Sequence, residues 1–505
     1  MERDRPVTRR TVLAAAPALV GLARKTDRPI SGSFVNDSFL LGHRLRDRLP
    51  FGAPKQQVNI PIVIVGAGMA GLSAAWHLDN RGFRDFVLLE MESVAGGNSR
   101  WGENEISRFP WAAHYVPVPA KSESLARELF EELGVLRGGV WDDHALCFAP
   151  QERLFIYGRW QDGIEPENAT PRDTGQYQRF NETMNDFRTT GQFTIPMQRG
   201  AKPSPLDEIS MSDWLAREGF DSPTLRWYVN YACRDDYGAL ARDTSAWAGI
   251  HYFASREPEE KGPLTWPEGN GYIARRLIAK LRAYLRTGSV VYKIVRDGTR
   301  SRVLTEPVEY IAEAVIFAAP TFLAEYIVDG APRAEGFQYS PWLTANLTLD
   351  RMPREPGFDL AWDNVIYDSP TLGYVNATHM NLASHLDRTV WTFYWSLGEH
   401  RPADARRLLL AKDWSYWKEA ILNDLERAHP DIRQCVSRID VMRLGHAMVR
   451  PAPRFVFSAD RQRWLKPLNN IFFANSDLSG FSIFEEAQFR GVTAARGALR
   501  RVGRG

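Results

Sequence analysis

The apolar positions near the start of the chain outline a strand, a helix and a second strand. Residues 59–65 are a β-branched run that ends at a glycine, residues 72–80 have helical composition, and the apolar run 86–90 ends at Glu90. Strand, helix and strand in this order are typical of parallel strands joined by a crossover helix. The pattern therefore predicts an α/β domain that begins near residue 58.

Further elements follow from strand composition and from helical spacing. Strands are predicted at residues 340–350 and 389–396. Helices are predicted at residues 122–133, closed by Gly134, at 210–218, capped by Ser210, and at 404–428. The last of these is expected to be one long amphipathic helix whose apolar stripe packs in the core.

Composition places the chain among globular proteins. Of its 505 residues, 44% are hydrophobic and 25% are charged, which excludes disordered, collagen-like and coiled-coil classes. A net charge of +2 gives no reason to expect nucleic acid as a partner. Cys147, Cys233 and Cys435 form no Cys-x-x-Cys pair, so neither a metal site nor a disulfide framework is expected.

The amino terminus has the pattern of an export signal. Arg9 and Arg10 precede the apolar residues 12–23, which are too few to span a bilayer. This segment, residues 1–23, resembles a twin-arginine signal and predicts an exported, periplasmic or extracellular protein without a stable membrane span. A frayed basic terminus is the alternative. Residues 24–57 are expected to form an arm before the first strand.

The turn between the first strand and the first helix carries a dinucleotide fingerprint. Residues 66–71 read Gly-Ala-Gly-Met-Ala-Gly, which is the pattern G-x-G-x-x-G. Gly66 permits the tight turn, Gly68 lets a pyrophosphate approach the backbone, and Gly71 lets the helix pack on the strand. Glu90 lies 24 positions after Gly66, at the spacing of a ribose-binding carboxylate. These residues alone do not distinguish between NAD and FAD as the cofactor.

Two later motifs favour FAD. The run Gly96-Gly97-Asn98-Ser99-Arg100 and residues 471–477 resemble segments of the flavin amine oxidase superfamily, in the same order along the chain. The resemblance implies that FAD is the cofactor and that residues 289–294 and 314–320 are strands beside it. With the fingerprint, the residues it assigns to FAD are Gly66, Gly68, Met69, Ala70, Gly71, Glu90, Gly96, Gly97, Asn98, Arg100, Val291, Ser476, Asp477 and Phe484.

The chain also departs from that family. Asn98 stands where the family has an arginine, with Arg100 as a possible substitute for its diphosphate contact. The lysine that the family places near the flavin N5 is expected near Glu325, and no lysine occurs between Lys293 and Lys412. No cysteine occupies the covalent-flavin position, so the resemblance implies non-covalent FAD.

The matching segments are separated by two that do not match. This implies an α/β fold with a discontinuous, Rossmann-like FAD-binding domain of the glutathione-reductase and amine-oxidase type, and a second α+β substrate domain on a mixed sheet. The expected FAD-binding segments are 58–119, 263–324 and 441–505, and the expected substrate-domain segments are 120–262 and 325–440.

Three side chains are candidates for contact with the substrate. His114 and His446 lie in segments that the family brings beside the flavin, although a structural histidine explains each of them as well. Tyr237 ends an acidic and aromatic segment in which Asp235 and Asp236 either bind an ammonium group or belong to a solvated turn.

The sequence thus predicts an FAD-dependent oxidoreductase of amine-oxidase type. Its substrate would be a small amine, such as a polyamine or an amino acid, that gives a hydride to FAD. The missing lysine favours an alternative, a flavin dehydrogenase or desaturase with an apolar substrate. A second alternative is an FAD-stabilised binding protein without turnover. The oligomeric state is left open.

Overall fold

The computed structural model describes residues 29–35, 38–167, 170–256, 262–382 and 386–504, so the predicted export signal lies outside the described residues. The strands are β1 (Phe34–Val35), β2 (Gln56–Val65), β3 (Phe86–Leu89), β4 (Trp101–Glu103), β5 (Arg108–Pro110), β6 (Leu136–Arg137), β7 (Val140–Trp141), β8 (Glu152–Ile156), β9 (Arg159–Asp162), β10 (Leu285–Arg286), β11 (Lys293–Asp297), β12 (Arg300–Leu304), β13 (Val308–Phe317), β14 (Tyr339–Leu349), β15 (Asp363–Ile366), β16 (Tyr374–Asn376), β17 (Thr389–Trp395), β18 (Val436–Val449) and β19 (Ile471–Phe473). The helices are α1 (Phe39–Arg46), α2 (Met69–Asn80), α3 (Ser124–Glu132), α4 (Pro171–Thr189), α5 (Met211–Arg217), α6 (Pro223–Tyr237), α7 (Ala246–Ala254), α8 (Gly271–Lys280), α9 (Ala324–Ile327), α10 (Pro402–Ala411), α11 (Trp414–Leu425), α12 (Ile432–Cys435), α13 (Ala459–Arg463) and α14 (Phe484–Arg501).

The first sheet has the order β10-β3-β2-β13-β12-β11, with β19 paired to β13. β2 is parallel to both β3 and β13, as the strand, helix and strand pattern predicts. Its side chains alternate between two buried clusters: Ile62 and Ile64 pack on the side of α2, whereas Val63 and Val65 pack on the opposite side. Burial on both faces explains why the sequence here is a continuous apolar run.

The second sheet has the order β1-β18-β14-β17-β16-β15-β8-β9 and mixes parallel and antiparallel pairs. One face of β14 packs Leu343 and Leu347 against α10 and α11. The other face turns Trp342 toward Tyr394 of β17, in a separate cluster. The predicted strands at 340–350 and 389–396 and the expected mixed sheet are confirmed.

Several predicted boundaries change in the structure. The helix expected at 404–428 is two helices, because the Asp413 side chain accepts a hydrogen bond from the Tyr416 amide at 2.8 Å and caps a new helix. The strand expected at 289–294 begins only at Lys293, since Ser289 instead donates its amide to the Glu90 carbonyl. β18 stays in the second sheet up to Val449, beyond the expected boundary at 441.

Other local predictions are confirmed. α3 and α5 occupy the predicted segments, and the Ser210 hydroxyl accepts the Asp213 amide at 3.1 Å as the N-cap of α5. No helix among the described residues is long and apolar enough to cross a bilayer.

The first and last helices of the cofactor side touch backbone to backbone. α14 crosses α2 so closely that a β-carbon on Gly491 would lie 2.1 Å from the carbonyl oxygen of Ala70. Only glycine allows this approach. The close contact places the carboxyl-terminal helix against the start of α2.

We expect Gly491→Ala to destabilise the protein by about 1–3 kcal/mol, because the added carbon overpacks this contact. Thermal unfolding of the purified protein measures the change. Gly175→Ala in α4 is the matched control, since nothing lies within 4 Å of its added carbon. We expect the control to be stabilised by up to about 1 kcal/mol. Equal stability of Gly491→Ala and the wild type would contradict the packing argument.

Candidate active site

A cleft of about 390 Å³ lies at the carboxyl ends of β2 and β3. Every residue that the sequence assigned to the cofactor lines this cleft except Gly71. Gly71 packs instead: a β-carbon there would lie 1.8 Å from the carbonyl oxygen of Gly66, so its predicted role in helix packing is confirmed. The structure thus brings residues from 66 to 484 into one site.

The glycine turn presents backbone to the cleft. Gly66 has a φ of +97°, which favours glycine. Gly68 is the N-cap of α2 and offers no side chain to the free N–H groups of the first turn. A β-carbon on Gly68 would be 3.9 Å from Gly97, its nearest protein neighbour, so protein packing does not explain this glycine. An open space at a helix N-terminus suits the phosphates of a dinucleotide.

Glu90 holds the glycine turn in place. Its carboxylate accepts the Ala67 amide at 2.8 Å and the Glu92 amide at 2.9 Å. Burial raises the pKa of Glu90, and these two hydrogen bonds oppose that effect. A carboxylate has about four acceptor positions, so capacity remains for ribose hydroxyls.

The segment after the second strand is fixed by its own polar residues. The Arg100 guanidinium pairs with Glu92 and donates to the Gly97 carbonyl at 3.0 Å. The Asn98 amide donates to the Ala447 carbonyl at 2.7 Å and so ties this segment to β18. Arg100 therefore lies in the cleft wall, although its charge is shared with Glu92.

Asp477 joins three parts of the chain beneath the cleft. Its carboxylate accepts the amide and hydroxyl of Thr321 at 2.8 and 2.7 Å, and the Tyr339 hydroxyl at 2.6 Å. Asp477 is buried, and burial raises its pKa. Sequence reasoning found Asp477 but missed Thr321 and Tyr339, which no motif marks.

The amino-terminal arm forms part of the cleft wall through Ser38, Phe39 and Leu45. β1 of the arm pairs with β18, where the Arg443 guanidinium lies 3.8 Å from the Phe34 ring centre. Farther along the arm, the Glu306 carboxylate accepts bonds from Arg44 at 3.3 Å and from the Gly52 amide at 3.1 Å. The arm was predicted, but its contribution to the site was not.

Two cavities continue from the cleft toward the second sheet. The inner cavity, of about 120 Å³, shares Asn98, Ser482 and Phe484 with the cleft. The outer cavity, of about 220 Å³, shares His114 and Asp235 with the inner one. A ligand in these cavities would therefore adjoin a cofactor in the cleft.

His114 lines both cavities. Its ring centre lies 4.7 Å from that of Tyr394, and its Nδ1 lies 3.3 Å from the Ala112 carbonyl oxygen. Burial lowers the pKa of His114 to about 4, so the imidazole is neutral at neutral pH. Its position as a candidate for substrate contact is thus consistent with the geometry.

The other two catalytic candidates lie outside the two cavities. His446 lines the cofactor cleft and stacks on Phe322 at 4.2 Å, and burial lowers its pKa to about 3. Tyr237 is buried, and its hydroxyl donates a hydrogen bond to the Ala248 carbonyl at 2.8 Å. This hydroxyl therefore has a structural role and does not face a ligand. Glu325 lies on α9 and lines neither the cleft nor the two cavities.

The solvated turn expected as one interpretation of Asp235 and Asp236 is wrong. Both residues lie in the last turn of α6, and Asp235 faces the two cavities. Burial and the charge of Asp236 raise the pKa of Asp235 to about 7. Sequence reasoning missed Arg256, Glu152, Asp363 and Glu485, which also line these cavities from distant parts of the chain.

Parallel strands that end at a glycine-lined cleft beside a helix N-terminus define a dinucleotide-binding protein. The chain belongs to the family of flavin-containing amine oxidoreductases, whose model matches residues 69–499. This confirms the resemblance found in the sequence, and a flavin is the cofactor that the family implies.

Solved relatives share the fold at low identity. A putrescine oxidase with bound putrescine has a TM-score of 0.66 at 17% identity, covering 88% of this chain and 100% of its own. Cyclohexylamine oxidase from Brevibacterium oxydans has a TM-score of 0.66 at 13% identity, with coverage of 88% and 100%. A 15-cis-phytoene desaturase from Narcissus pseudonarcissus is 31% identical over 173 residues, which span 33% of this chain and 29% of that protein.

We expect Gly68→Asp to fold normally but to purify without flavin. The new carboxylate would enter the open space at the start of α2 and repel phosphate there. The flavin-to-protein absorbance ratio measures occupancy, and thermal unfolding checks the fold. A normal flavin content in this variant would contradict the assignment of the phosphate site.

We expect deletion of residues 1–51 to lower flavin content after gel filtration, because the cleft loses the wall formed by α1. The control is a chain that lacks only residues 1–28, which retains β1 and α1. Equal flavin content in the two proteins would show that the arm does not hold the cofactor.

Proposed function

We propose that the protein is an FAD-dependent oxidoreductase that oxidises an amine by hydride transfer to non-covalently bound FAD. The observation that carries this proposal is the continuity of the cleft with two cavities lined by carboxyl groups and aromatic rings. FAD supplies the acceptor for the hydride when it is bound.

The residues of the cleft suit a dinucleotide with a flavin at one end. The N-terminus of α2 and Gly68 would hold the pyrophosphate, and Glu90 would hold a ribose. The first turn of α14 begins at Phe484, where the cleft meets the inner cavity. Free N–H groups in that turn stabilise negative charge that develops nearby. None of the three cysteines, all of them described, lines the cleft, which supports non-covalent binding.

The cavities suit a polar nitrogen compound better than a polyene. His114 is neutral and does not repel an ammonium group, while Tyr115 and Tyr394 form apolar walls with hydroxyl edges. An apolar substrate would leave the carboxyl groups of Asp235 and Glu485 facing hydrocarbon, which is costly. In the overall change the amine loses a hydride from its carbon, for which the bound cofactor would be the acceptor, and a proton from its nitrogen, which passes to solvent. Water then hydrolyses the resulting imine to a carbonyl compound and ammonia.

The proposal includes export from the cytoplasm, which the Arg9-Arg10 pair and the apolar residues 12–23 that follow it support.

We expect anaerobic mixing with primary amines to bleach the flavin absorbance band, while polyenes of carotenoid type leave it unchanged. Stopped-flow absorbance measures the rate, and ammonia release in air confirms turnover. A protein that amines do not bleach but a polyene does would favour the desaturase alternative. A flavin that stays oxidised with every reductant would favour a binding protein without turnover.

A further inference from the structure

Glu485 lies between the inner cavity and a further cavity, which we call the side cavity. The side cavity has a volume of about 180 Å³ and is lined by the start of α3 and by one side of α14. Its rim includes the exposed side chains of Ser122, Ser124, Arg199 and Arg496. Among the described lining residues, Glu485 is the one that the inner and side cavities share. This acid therefore lies on a route from the inner cavity to solvent.

Glu485 is buried without the partners that a carboxyl group needs. It is 3% exposed, and neither of its carboxyl oxygens has a hydrogen-bond partner on another described residue. The neighbouring Glu486 is also buried, but its carboxylate accepts hydrogen bonds from the Met197 amide and the Ser479 hydroxyl. Buried polar groups are rarely left unpaired. The partners of Glu485 are therefore expected to come from the two cavities that it lines.

A second acid lies on the side-cavity side of Glu485. Glu123, at the start of α3, lines the side cavity and accepts the Ala120 amide at 3.1 Å. The Gln488 side chain donates to the Leu125 carbonyl at 3.0 Å and connects α14 to α3. Burial and the charge of Glu123 raise the pKa of Glu485 well above its usual range, so its carboxyl group holds a proton at neutral pH. A carboxylic acid can accept a proton at one oxygen while the other oxygen releases one.

Glu485 also lies at the cofactor end of the inner cavity. Ile483 and Phe484, which precede it in the chain, line both the cleft and the inner cavity. Asp235 lies at the other end, where the inner and outer cavities meet. Under the proposed function, the carbon that gives up the hydride and its nitrogen lie beside the cofactor. Glu485 is therefore better placed than Asp235 to take a proton from that nitrogen.

We propose that Glu485 carries the substrate proton out of the active site, from the amine nitrogen in the inner cavity to Glu123 and solvent in the side cavity. The substrate enters as an ammonium ion, loses a proton from nitrogen and a hydride from carbon to FAD, and becomes an iminium ion of the same charge. The proton from nitrogen binds one oxygen of Glu485 while the proton on the other oxygen leaves toward Glu123. The Glu485 carboxyl group is thus neutral before and after the transfer. This inference rests on the proposed amine oxidation and adds a proton path to it.

Other titratable groups surround this path. They are Glu123 before α3, Glu486 on α14, Asp235 and Asp236 on α6, Arg256 after α7, His114 and Tyr115 in the inner cavity, and Arg199 and Arg496 in the side cavity. A pH effect is therefore assigned to Glu485 only where Glu485→Gln changes it.

The test follows flavin bleaching of the holoenzyme by butan-1-amine in a stopped-flow instrument, with a pH-indicator dye in weak buffer. In the wild type we expect proton release to solvent in step with bleaching. Glu485→Gln keeps the side-chain shape but cannot pass a proton, so it should bleach about tenfold more slowly at neutral pH. This deficit should shrink as the pH rises, because a growing share of the amine then enters without its extra proton. Glu123→Gln should show a deficit with the same pH dependence, and Glu128→Gln, which is exposed on α3, is the matched control and should behave like the wild type.

Flavin content and thermal unfolding show whether each variant is folded, and Glu123→Gln decides if Glu485→Gln is not. Bleaching and proton release at the wild-type rate in Glu485→Gln, or a deficit that is the same at every pH, would overturn this inference and leave amine oxidation intact. If no amine bleaches the flavin, the infrared spectrum of the holoenzyme still decides. A carboxylic acid carbonyl band that shifts promptly in deuterium oxide and is absent in Glu485→Gln supports a proton that exchanges with solvent, whereas identical spectra of the two proteins overturn it.

Discussion

The contact of backbone with backbone at the start of α2 is the constraint on which the site depends. The carbonyl oxygen of Gly66 lies where a β-carbon of residue 71 would be, and the carbonyl of Ala70 lies where one of residue 491 would be. Any larger residue would push α2 away from β2 or from α14. Because glycine lets these elements pack this closely, the free N–H groups of α2 lie at the end of the sheet, where the cleft forms.

The two ligand regions carry opposite electrostatic character. The cleft is built around helix N-termini, which favour negative groups. The outer cavity gathers carboxyl groups with one lining arginine, so it favours positive groups. Under the proposed function, the pyrophosphate of FAD and the amine of the substrate would be directed to different ends of one continuous space. Neutral His114 lies at the boundary and disturbs neither preference.

What could be predicted from the sequence was local. The glycine turn, the strand before it and the acid at position 90 lie within one short segment, and Gly66 and Gly71 each have a steric reason in the structure. Asp413 is also a local signal, but the helical spacing on both sides of it suggested a single helix. Its side chain caps α11, so a new helix begins there. The pairing of Glu152 with Asp363 depends on the register of two strands more than 200 positions apart in the chain, which no local pattern encodes. The family resemblance identified the cofactor region because its motifs are short local segments that occur in a fixed order along the chain.

The arm has a mechanical consequence for the whole molecule. Its strand β1 belongs to the second sheet, while Arg44 and Gly52 are bound to Glu306 in the turn between β12 and β13 of the first. The arm therefore contacts both sheets and connects them across the cleft. A hinge motion that widened the cleft would have to break either the pairing of β1 with β18 or the bonds to Glu306. Opening of the cleft is therefore coupled to local detachment of the arm.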